Sequence, residues 1–332
     1  MKVNRTMVAL GGAAALGIAD LIVAHTGSVG TPSCVGRRAA AEFDPSQVDR
    51  IEIGGETPVV VARGEKSWVV ESKWGYPAEA SKVREALILM SGLKIGQSAP
   101  GMTNDCSKTV RLMSGGRVVS ELAIGRVREA GGRYVRVGDD VALVNDSLEF
   151  FDAPGSQWLS PRLSNLRAGL IRGIRFGSSE GEVSLVQTNG AWRVVGMAED
   201  EEMGADKAVQ KARAAQMSLS YLNLADVVDP AVDDATCGFT NGVTFAARMQ
   251  DGVEYTARIG GIAADGGRYF RMSATALPTG TNAVASAEAV SGAEEFNDSK
   301  SRWTYVVSEE IAEKMVKSRE DFVTKKKGGE KK

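Results

Sequence analysis

The chain has 332 residues, of which 43% are hydrophobic, and a formal net charge of −2 at pH 7. This length and apolar content suffice for two domains with ordinary cores, and the interspersed charges exclude a basic face of the kind that binds nucleic acid. The single histidine, His25, lies at the end of an N-terminal apolar run, so the folded body has no imidazole for Ser-His-Asp or Cys-His catalysis or for a His-based zinc site.

The first predicted element is the apolar run at residues 7–24, which follows Lys2 and Arg5. A positive segment followed by an apolar stretch is typical of an export signal or an N-terminal membrane anchor. We therefore predict a signal peptide or membrane anchor at residues 1–26 and a tether at residues 27–46. A first buried helix of the fold is the alternative, but the Gly, Ser and Pro residues that follow the run favour a tether.

Two hexapeptides indicate an internal repeat. Gly-Gly-Arg-Tyr-Val-Arg at residues 131–136 and Gly-Gly-Arg-Tyr-Phe-Arg at residues 266–271 each follow an Ile-Gly step, with an offset of 135 residues. Upstream, Trp68 and Trp192 match at an offset of 124. Self-similarity at a fixed offset predicts one module used twice.

The first α+β repeat is predicted at residues 47–152. Its strands are expected at residues 51–53, 59–62, 66–70, 109–113, 118–124, 132–137 and 141–144. Between the third and fourth strands, Val83, Leu87 and Met90 give residues 78–92 the apolar spacing of an amphipathic helix.

A linker at residues 153–169 leads to the second α+β repeat, predicted at residues 170–280. Strands are expected at residues 174–176, 183–186, 191–195, 243–249, 254–259 and 268–272. A helix at residues 204–219 carries a thinner stripe, Ala208, Ala212, Ala215 and Leu219. The resulting class is α+β: two tandem repeats of an antiparallel sheet with a packed helix, preceded by the N-terminal hydrophobic segment.

The predicted C-terminal region, residues 281–332, comprises a loop, a strand and helix, and a Lys-rich tail. Residues 274–299 are rich in Ala, Ser, Thr, Gly and Asn, which favours a long loop. A strand at residues 303–306 is followed by Ser308, a good N-cap for a helix. The terminal lysines indicate a solvated tail, with contact to anionic lipid or nucleic acid as the alternative.

Several motifs that resemble catalytic or binding signatures are better explained as turns. Residues 177–181 match the Gly-x-Ser-x-Gly pattern, but a strand rather than a helix follows and the histidine partner is lacking. Residues 260–267 lack the P-loop lysine, and the acidic residues 199–202 lack EF-hand spacing. We therefore predict no catalytic residue, no cofactor and no metal site.

The repeated Arg-Tyr-x-Arg is the candidate binding surface. Because side chains alternate along a strand, Tyr134 and Arg136 share one face, as do Tyr269 and Arg271, and these four residues are the predicted partner-binding positions. The structural alternative is that each tyrosine packs the helix on the sheet while the arginines cover the rim or pair with carboxylates.

The three cysteines, Cys34, Cys106 and Cys237, are predicted to be thiols in the tether or the core. Cys106 and Cys237 occupy roughly equivalent places, so a disulfide between them is an alternative. Lipidation of Cys34 is another, although the residues before it lack the Leu-small-small pattern.

The repeat also carries a family resemblance. Lys-Ser-Trp-Val-Val at residues 66–70, Pro-Ala-Glu-Ala-Ser-Lys-Val at 77–83, Leu93-Lys94, Leu-Ala-Ile-Gly at 122–125 and Gly-Arg-Tyr-Val-Arg at 132–136 resemble the domain-of-unknown-function 4340 family, over about residues 45–310. The resemblance implies a bacterial, N-terminally anchored protein, often encoded beside gliding-motility-type ABC transporters. Cys106 and Cys237 depart from a commoner Gly-Leu turn, and the family supplies no catalytic residues.

These observations predict a non-enzymatic protein of the bacterial cell envelope, anchored in the inner membrane with its body in the periplasm, or exported. It is expected to act as an accessory or scaffold subunit through protein–protein contacts, with an ABC-type transporter as the partner that the resemblance implies. The alternative is a solute-, glycan- or peptide-binding module that uses the groove between the repeats. A hydrolase that uses carboxylates is the third hypothesis. Nucleic acid is not an expected partner.

Overall fold

The computed structural model describes residues 34–99, 106–280 and 284–326. The predicted signal or anchor at residues 1–26, the first part of the tether and the lysines at positions 327, 331 and 332 lie outside the described residues. Within the described ranges, no helix is both long enough and apolar enough to cross a membrane.

The fold is α+β. Its helices are α1 (Ala80–Gly92), α2 (Asp206–Ser218), α3 (Ala287–Lys300) and α4 (Glu309–Met315). Its strands are β1 (Arg50–Ile53), β2 (Val59–Arg63), β3 (Trp68–Val70), β4 (Tyr76–Pro77), β5 (Ile95–Ser98), β6 (Lys108–Ser114), β7 (Arg117–Val127), β8 (Arg133–Val137), β9 (Asp140–Val144), β10 (Arg162–Ser164), β11 (Ile171–Ser178), β12 (Gly181–Thr188), β13 (Ala191–Val194), β14 (Glu201–Met203), β15 (Leu222–Asn223), β16 (Asp226–Val227), β17 (Val243–Met249), β18 (Val253–Ile262), β19 (Arg268–Ala276), β20 (Tyr305–Val307) and β21 (Val323–Lys325).

Most strands belong to two large antiparallel sheets. The first has the order β4-β3-β2-β1-β6-β7-β8-β9-β5, and the second has the order β13-β12-β11-β17-β18-β19-β20-β16. Two small strand pairs, β10 with β15 and β14 with β21, lie outside them. When the edge strand β4 is set aside, the two sheets have the same topology: the first three strands in sequence form one end of each sheet in reverse order, and the fourth strand forms the other end.

The apolar stripes predicted for the first two helices are confirmed. Helix α1 begins after Glu79, whose side chain accepts a hydrogen bond from the Ser81 amide, and it buries Val83, Ala86, Leu87 and Met90. Burying a large aliphatic side chain contributes about 1.5–3 kcal/mol. Helix α2 buries Ala208, Ala212 and Ala215, and these small side chains allow close packing against β11 and α4.

The loop predicted at residues 274–299 is wrong. Strand β19 continues to Ala276, and helix α3 begins after Ser286, whose side chain caps the Ala289 amide. The helix lays Ala289 and Ala293 on the second sheet, where the Phe296 ring packs edge-on against Tyr255 at 5.0 Å. Ala289 and Ala293 alone form too short an apolar stripe to be recognised without the sheet on which it packs, unlike the longer stripe of the second helix.

Strand β20 follows α3 and lies between β19 and β16, so the second sheet obtains one of its strands from beyond residue 280. The predicted strand at residues 303–306 thus forms two residues later. Ser308 caps the next helix as expected, because its side chain accepts a hydrogen bond from the Ile311 amide.

The segment predicted as a linker, residues 153–169, packs between the two sheets. Trp158 is fully buried, and Leu159 forms a backbone bridge with Ala78. Nearby, the Tyr76 ring meets the Trp303 ring edge-on with 5.1 Å between centroids. One continuous cluster of buried side chains therefore includes residues from both sheets.

Candidate functional site

The repeated Gly-Gly-Arg-Tyr sequences form matching hairpins. In the first, the Gly131 amide donates to the Arg128 carbonyl at 2.9 Å and the Arg128 amide donates to the Gly132 carbonyl at 3.0 Å. In the second, the Gly266 amide donates to the Ala263 carbonyl at 3.0 Å and the Ala263 amide to the Gly267 carbonyl at 2.8 Å. Each partner in the second hairpin lies 135 residues after its counterpart.

Close backbone approach explains the second glycine of each pair. A Cβ atom at Gly132 would lie 2.3 Å from the Val144 carbonyl oxygen, and one at Gly267 would lie 2.7 Å from the Val307 carbonyl oxygen. Gly131 has instead an open surrounding and a φ of +92°, a region that favours glycine. The motif therefore has a structural cause at both of its glycines.

The first arginine of each hexapeptide also has a structural role. Arg133 Nε donates to the Gly125 carbonyl at 2.6 Å, and Arg268 Nε donates to the Gly260 carbonyl at 3.1 Å. Arg133 is buried and its guanidinium additionally contacts Asp152, with 2.5 Å between Nη1 and Oδ2. These bonds hold each hairpin to the strand before it.

Asp152 receives a second cation, because Lys108 Nζ lies 2.6 Å from its Oδ1. Partial burial pushes the pKa of the Asp152 carboxyl upward, but hydrogen bonds from Arg133 and Lys108 outweigh this effect, so the pKa lies below its ordinary value. The cluster ties the segment after β9 to β6 and β8. It borders a cavity of about 510 Å³ that the β1–β2 hairpin lines.

Tyr134 and Arg136 occupy the outer face of the first sheet. Val135, which points the other way, is fully buried in the core that contains the α1 stripe. Arg136 is exposed, and Tyr134 is half-buried with the Arg126 guanidinium 5.6 Å from its ring centroid. The structural alternative required Tyr134 to pack the helix against the sheet, and Tyr134 lies on the opposite face.

Tyr269 and Arg271 occupy the corresponding face of the second sheet, where the chain itself engages the arginine. Arg271 Nη1 lies 2.6 Å from Asp234 Oδ1, and its guanidinium lies 4.5 Å from the Phe239 ring centroid. The arginine of the first sheet is thus open to solvent, whereas that of the second is covered by the segment between β16 and β17. The four predicted positions belong to two different sheets.

The motifs set aside from the sequence form ordinary secondary structure. Ser178 pairs with Gly181, so the Gly-x-Ser-x-Gly stretch is a two-residue hairpin between β11 and β12. Glu201 lies in β14, 2.5 Å from Arg319 Nη2. In the described part of the chain, no group of three His, Cys, Asp or Glu side chains could hold a metal ion.

Cys34, Cys106 and Cys237, which all lie in the described ranges, form no disulfide, so the alternative bridge between Cys106 and Cys237 does not form. Cys237 is fully buried, and burial raises the pKa of its thiol because the thiolate loses hydration. A thiol in this state is a poor nucleophile.

Sequence reasoning expected a groove between the repeats but not the residues that line it, and the structure has a groove between the two sheets. It has a volume of about 720 Å³ and lies between the β2–β3 hairpin and helix α3. Charged side chains line it: Glu65 and Lys66 on the hairpin, Glu294, Glu295 and Asp298 on the helix, and Arg302 beyond it. The helical wall of this groove was not anticipated because the residues of α3 were predicted to be a loop.

Sequence reasoning also missed an open sheet edge at β13. In the first sheet the equivalent strand, β3, is covered by β4, where Val69 pairs with Pro77. In the second sheet β13 is the last strand, with pairing that continues through the Val195 amide to the Ser184 carbonyl at 2.8 Å. Three apolar side chains around this edge are exposed: Val186 at 41%, Val195 at 50% and Met197 at 38%.

Comparison with known proteins identifies a family but no activity. The family model described as Domain of unknown function (DUF4340) matches residues 68–242. No curated protein matches the chain. No solved structure matches it either.

Proposed function

The chain belongs to the domain-of-unknown-function 4340 family, and from that premise we propose that it is a non-enzymatic accessory or scaffold subunit of the bacterial cell envelope. Its N-terminal segment anchors it in the inner membrane, and its body lies in the periplasm. The partner is a membrane protein assembly, with the ABC-type transporter of the family resemblance as the first candidate.

Part of this proposal is that the body is a tandem repeat. Strand register supports it: Trp68 pairs with Arg63, and Trp192 pairs with Gln187, so both partners shift by 124 residues. The β7–β8 pair Ile124–Val135 and the β18–β19 pair Ile259–Phe270 likewise shift by 135 residues. The β-bulges that follow also correspond, since Val127 pairs with Arg133 and Ile262 pairs with Arg268.

The open edge at β13 is the observation that carries the scaffold proposal. An edge strand presents unpaired amide and carbonyl groups, which an extended segment of another protein can pair with to extend the sheet. Exposed apolar side chains beside the edge, Val186, Val195 and Met197, supply pockets and contact area for alternate side chains of such a segment. We therefore assign β13 as the partner-docking strand.

Capture of partners from detergent-solubilised membranes tests this assignment. The double variant Val186→Lys, Val195→Lys places positive charge on β12 beside the edge and directly after β13, and natural proteins use such charges to prevent edge pairing. Val118→Lys is the matched control, because Val118 is 51% exposed on a strand of the other sheet. We expect a specific partner with the wild type and the control, and its loss with the double variant.

Failure to recover any partner under gentle conditions would count against the scaffold function. Equal recovery with the double variant would instead move the docking surface elsewhere, with Tyr134 and Arg136 as the next positions to substitute. These two results are distinguishable in one experiment.

The groove between the sheets supports the alternative, a solute-, glycan- or peptide-binding module. Its volume of about 720 Å³ lies within the range of small-molecule sites. However, its lining is dominated by charged side chains rather than by Trp or Tyr, which weakens the case for an apolar or glycan ligand. If Glu294→Lys with Glu295→Lys abolishes partner capture while the β13 variant does not, the groove becomes the functional surface.

A further inference from the structure

We propose that the body carries a lipid-facing surface around the C-terminal end of α1 that rests on an anionic bilayer. The lipid-facing surface consists of the exposed Ile88, the half-buried Leu89 and the exposed basic residues Arg37, Arg84 and Lys94. This inference rests on the proposed membrane anchor and adds to it an orientation of the body and a partner of stated chemistry, the anionic headgroup layer.

An apolar depression forms the centre of this surface. Ile88 is 61% exposed on the solvent side of a helix whose other large apolar side chains are buried or half-buried. Together with Leu89, Gly92 and the buried Leu93 it lines a shallow cavity of about 500 Å³, which Lys94, Asn145 and Asp146 also border. Such a depression accepts apolar groups from the interfacial layer while its basic rim stays hydrated.

Among the described residues, the basic side chains around the depression form no ion pair with a carboxylate. Arg84 lies one helical turn before Ile88, on the same side of α1. Arg37, Arg84 and Lys94 are all exposed, and none of them forms an ion pair with a carboxylate in the described ranges. Cations left unpaired in this way are available to lipid phosphates.

The acidic side chains nearby only partly offset this charge. Glu42 pairs with Arg38 at 3.3 Å, and Asp146 accepts a hydrogen bond from the Leu148 amide. Glu85, next to Arg84, is the exposed acid on the helix itself. The balance around the depression is positive, opposite in sign to the net charge of −2 of the whole chain.

The chain enters the described body at this same surface. Cys34 is the first described residue, and directly after it the Gly36 amide donates to the Ile95 carbonyl at 2.8 Å while the Ile95 amide donates to the Arg37 carbonyl at 2.9 Å. The apolar run ends at Ala24, and the ten residue steps from there to Cys34 reach at most about 35 Å. An anchor in the bilayer therefore keeps this end of the molecule close to the headgroups.

Because the N-terminal anchor tethers the body to the bilayer, a weak contact is sufficient to orient the body on it. Each Lys or Arg near an anionic surface strengthens its binding about fivefold, which corresponds to about 1 kcal/mol. Because the anchor makes the second contact intramolecular, its effective concentration is high and three basic residues can hold the body in one orientation.

The test uses the full chain reconstituted in vesicles of phosphatidylethanolamine and phosphatidylglycerol. In a background with Cys34→Ser, Cys106→Ser and Cys237→Ala, a bimane label is placed through Ile88→Cys. The matched control carries the label through Met217→Cys, which lies in the last turn of α2 and is 51% exposed in the wild type. Circular dichroism checks that each variant is folded, and acyl-brominated lipids serve as the quencher.

We expect quenching of the label at position 88 and little at position 217. Charge reversal by Arg37→Glu, Arg84→Glu and Lys94→Glu, or replacement of phosphatidylglycerol by phosphatidylcholine, should reduce quenching at position 88. Equal quenching at both positions, no quenching at 88, or quenching that persists after charge reversal would overturn the proposal. Flotation distinguishes failure of the proposed anchor from failure of the lipid-facing surface. A chain that fails to float with vesicles refutes both. A chain that floats without quenching at position 88 refutes only the lipid-facing surface.

Discussion

Replacing Gly132, the second glycine of the first hexapeptide, should destabilise the protein more than replacing Gly131, the first glycine. Gly131→Ala meets open space, so its cost is the strain of a positive φ, about 1–2 kcal/mol. Gly132→Ala has a φ of +81° and in addition places Cβ 2.3 Å from the Val144 carbonyl oxygen. Forcing such a contact apart adds about 1–3 kcal/mol.

The second sheet separates the two costs, because the positive φ and the close contact fall on different glycines. Gly266→Ala meets open space at a φ of +85°, whereas a Cβ at Gly267 would lie 2.5 Å from Val306 Cγ1 and 2.7 Å from the Val307 carbonyl oxygen. Because Gly267→Ala carries overpacking without positive-φ strain, we expect a cost of about 1–3 kcal/mol there.

Urea unfolding of the four variants measures the free energies, and amide hydrogen exchange in β8, β9, β19 and β20 locates the change. We expect Gly132→Ala to lower protection of the strands beside the hairpin. If Gly131→Ala and Gly132→Ala prove equally destabilising, close backbone approach is not the reason for the second glycine.

Three further predictions follow from individual contacts. The pKa of Asp152 is lowered in the folded state, so its stabilising contribution is complete above the ordinary value of 3.8 and is lost as the pH falls through the lowered value. Asp152→Asn should therefore flatten the decline of unfolding free energy between these two values. An unchanged slope would contradict the assigned ion pairs. Cys237 should resist thiol reagents until the protein unfolds, and mass spectrometry that finds it modified under native conditions would refute its burial. A double-mutant cycle with Lys73→Met and Asp226→Asn should give a coupling of about 0.5–1 kcal/mol for this 2.6 Å pair between the sheets, and zero coupling would refute the contact.

Periodicity was sufficient for the local elements. The two helices predicted within the repeats form within two residues of their expected starts. Val83, Leu87 and Met90 in one helix and three alanines in the other follow the helical repeat. Alternation along β8 likewise separates buried Val135 from exposed Arg136. Such patterns are readable because each depends only on neighbouring residues and one apolar face.

The failures share a different physical origin. Helix α3 is stabilised by Tyr255 and Ala274 of the second sheet rather than by a strong apolar stripe of its own. Arg271 is covered because Asp234 and Phe239 come from a separate connection. Neither partner is a sequence neighbour of the residue it affects.

The sequence by itself determined the α+β class, the positions of most strands and the paired hexapeptides, because helical and strand periodicity, turn glycines and caps act over a few residues. Only the tertiary structure decided which sheet edge stays open, what closes the groove beside α3 and which of two equivalent arginines remains accessible. These properties depend on contacts between distant segments. The Gly-Gly-Arg-Tyr motif therefore forms the same hairpin in both sheets, while the arginine on its outer face is exposed in the first sheet and covered in the second.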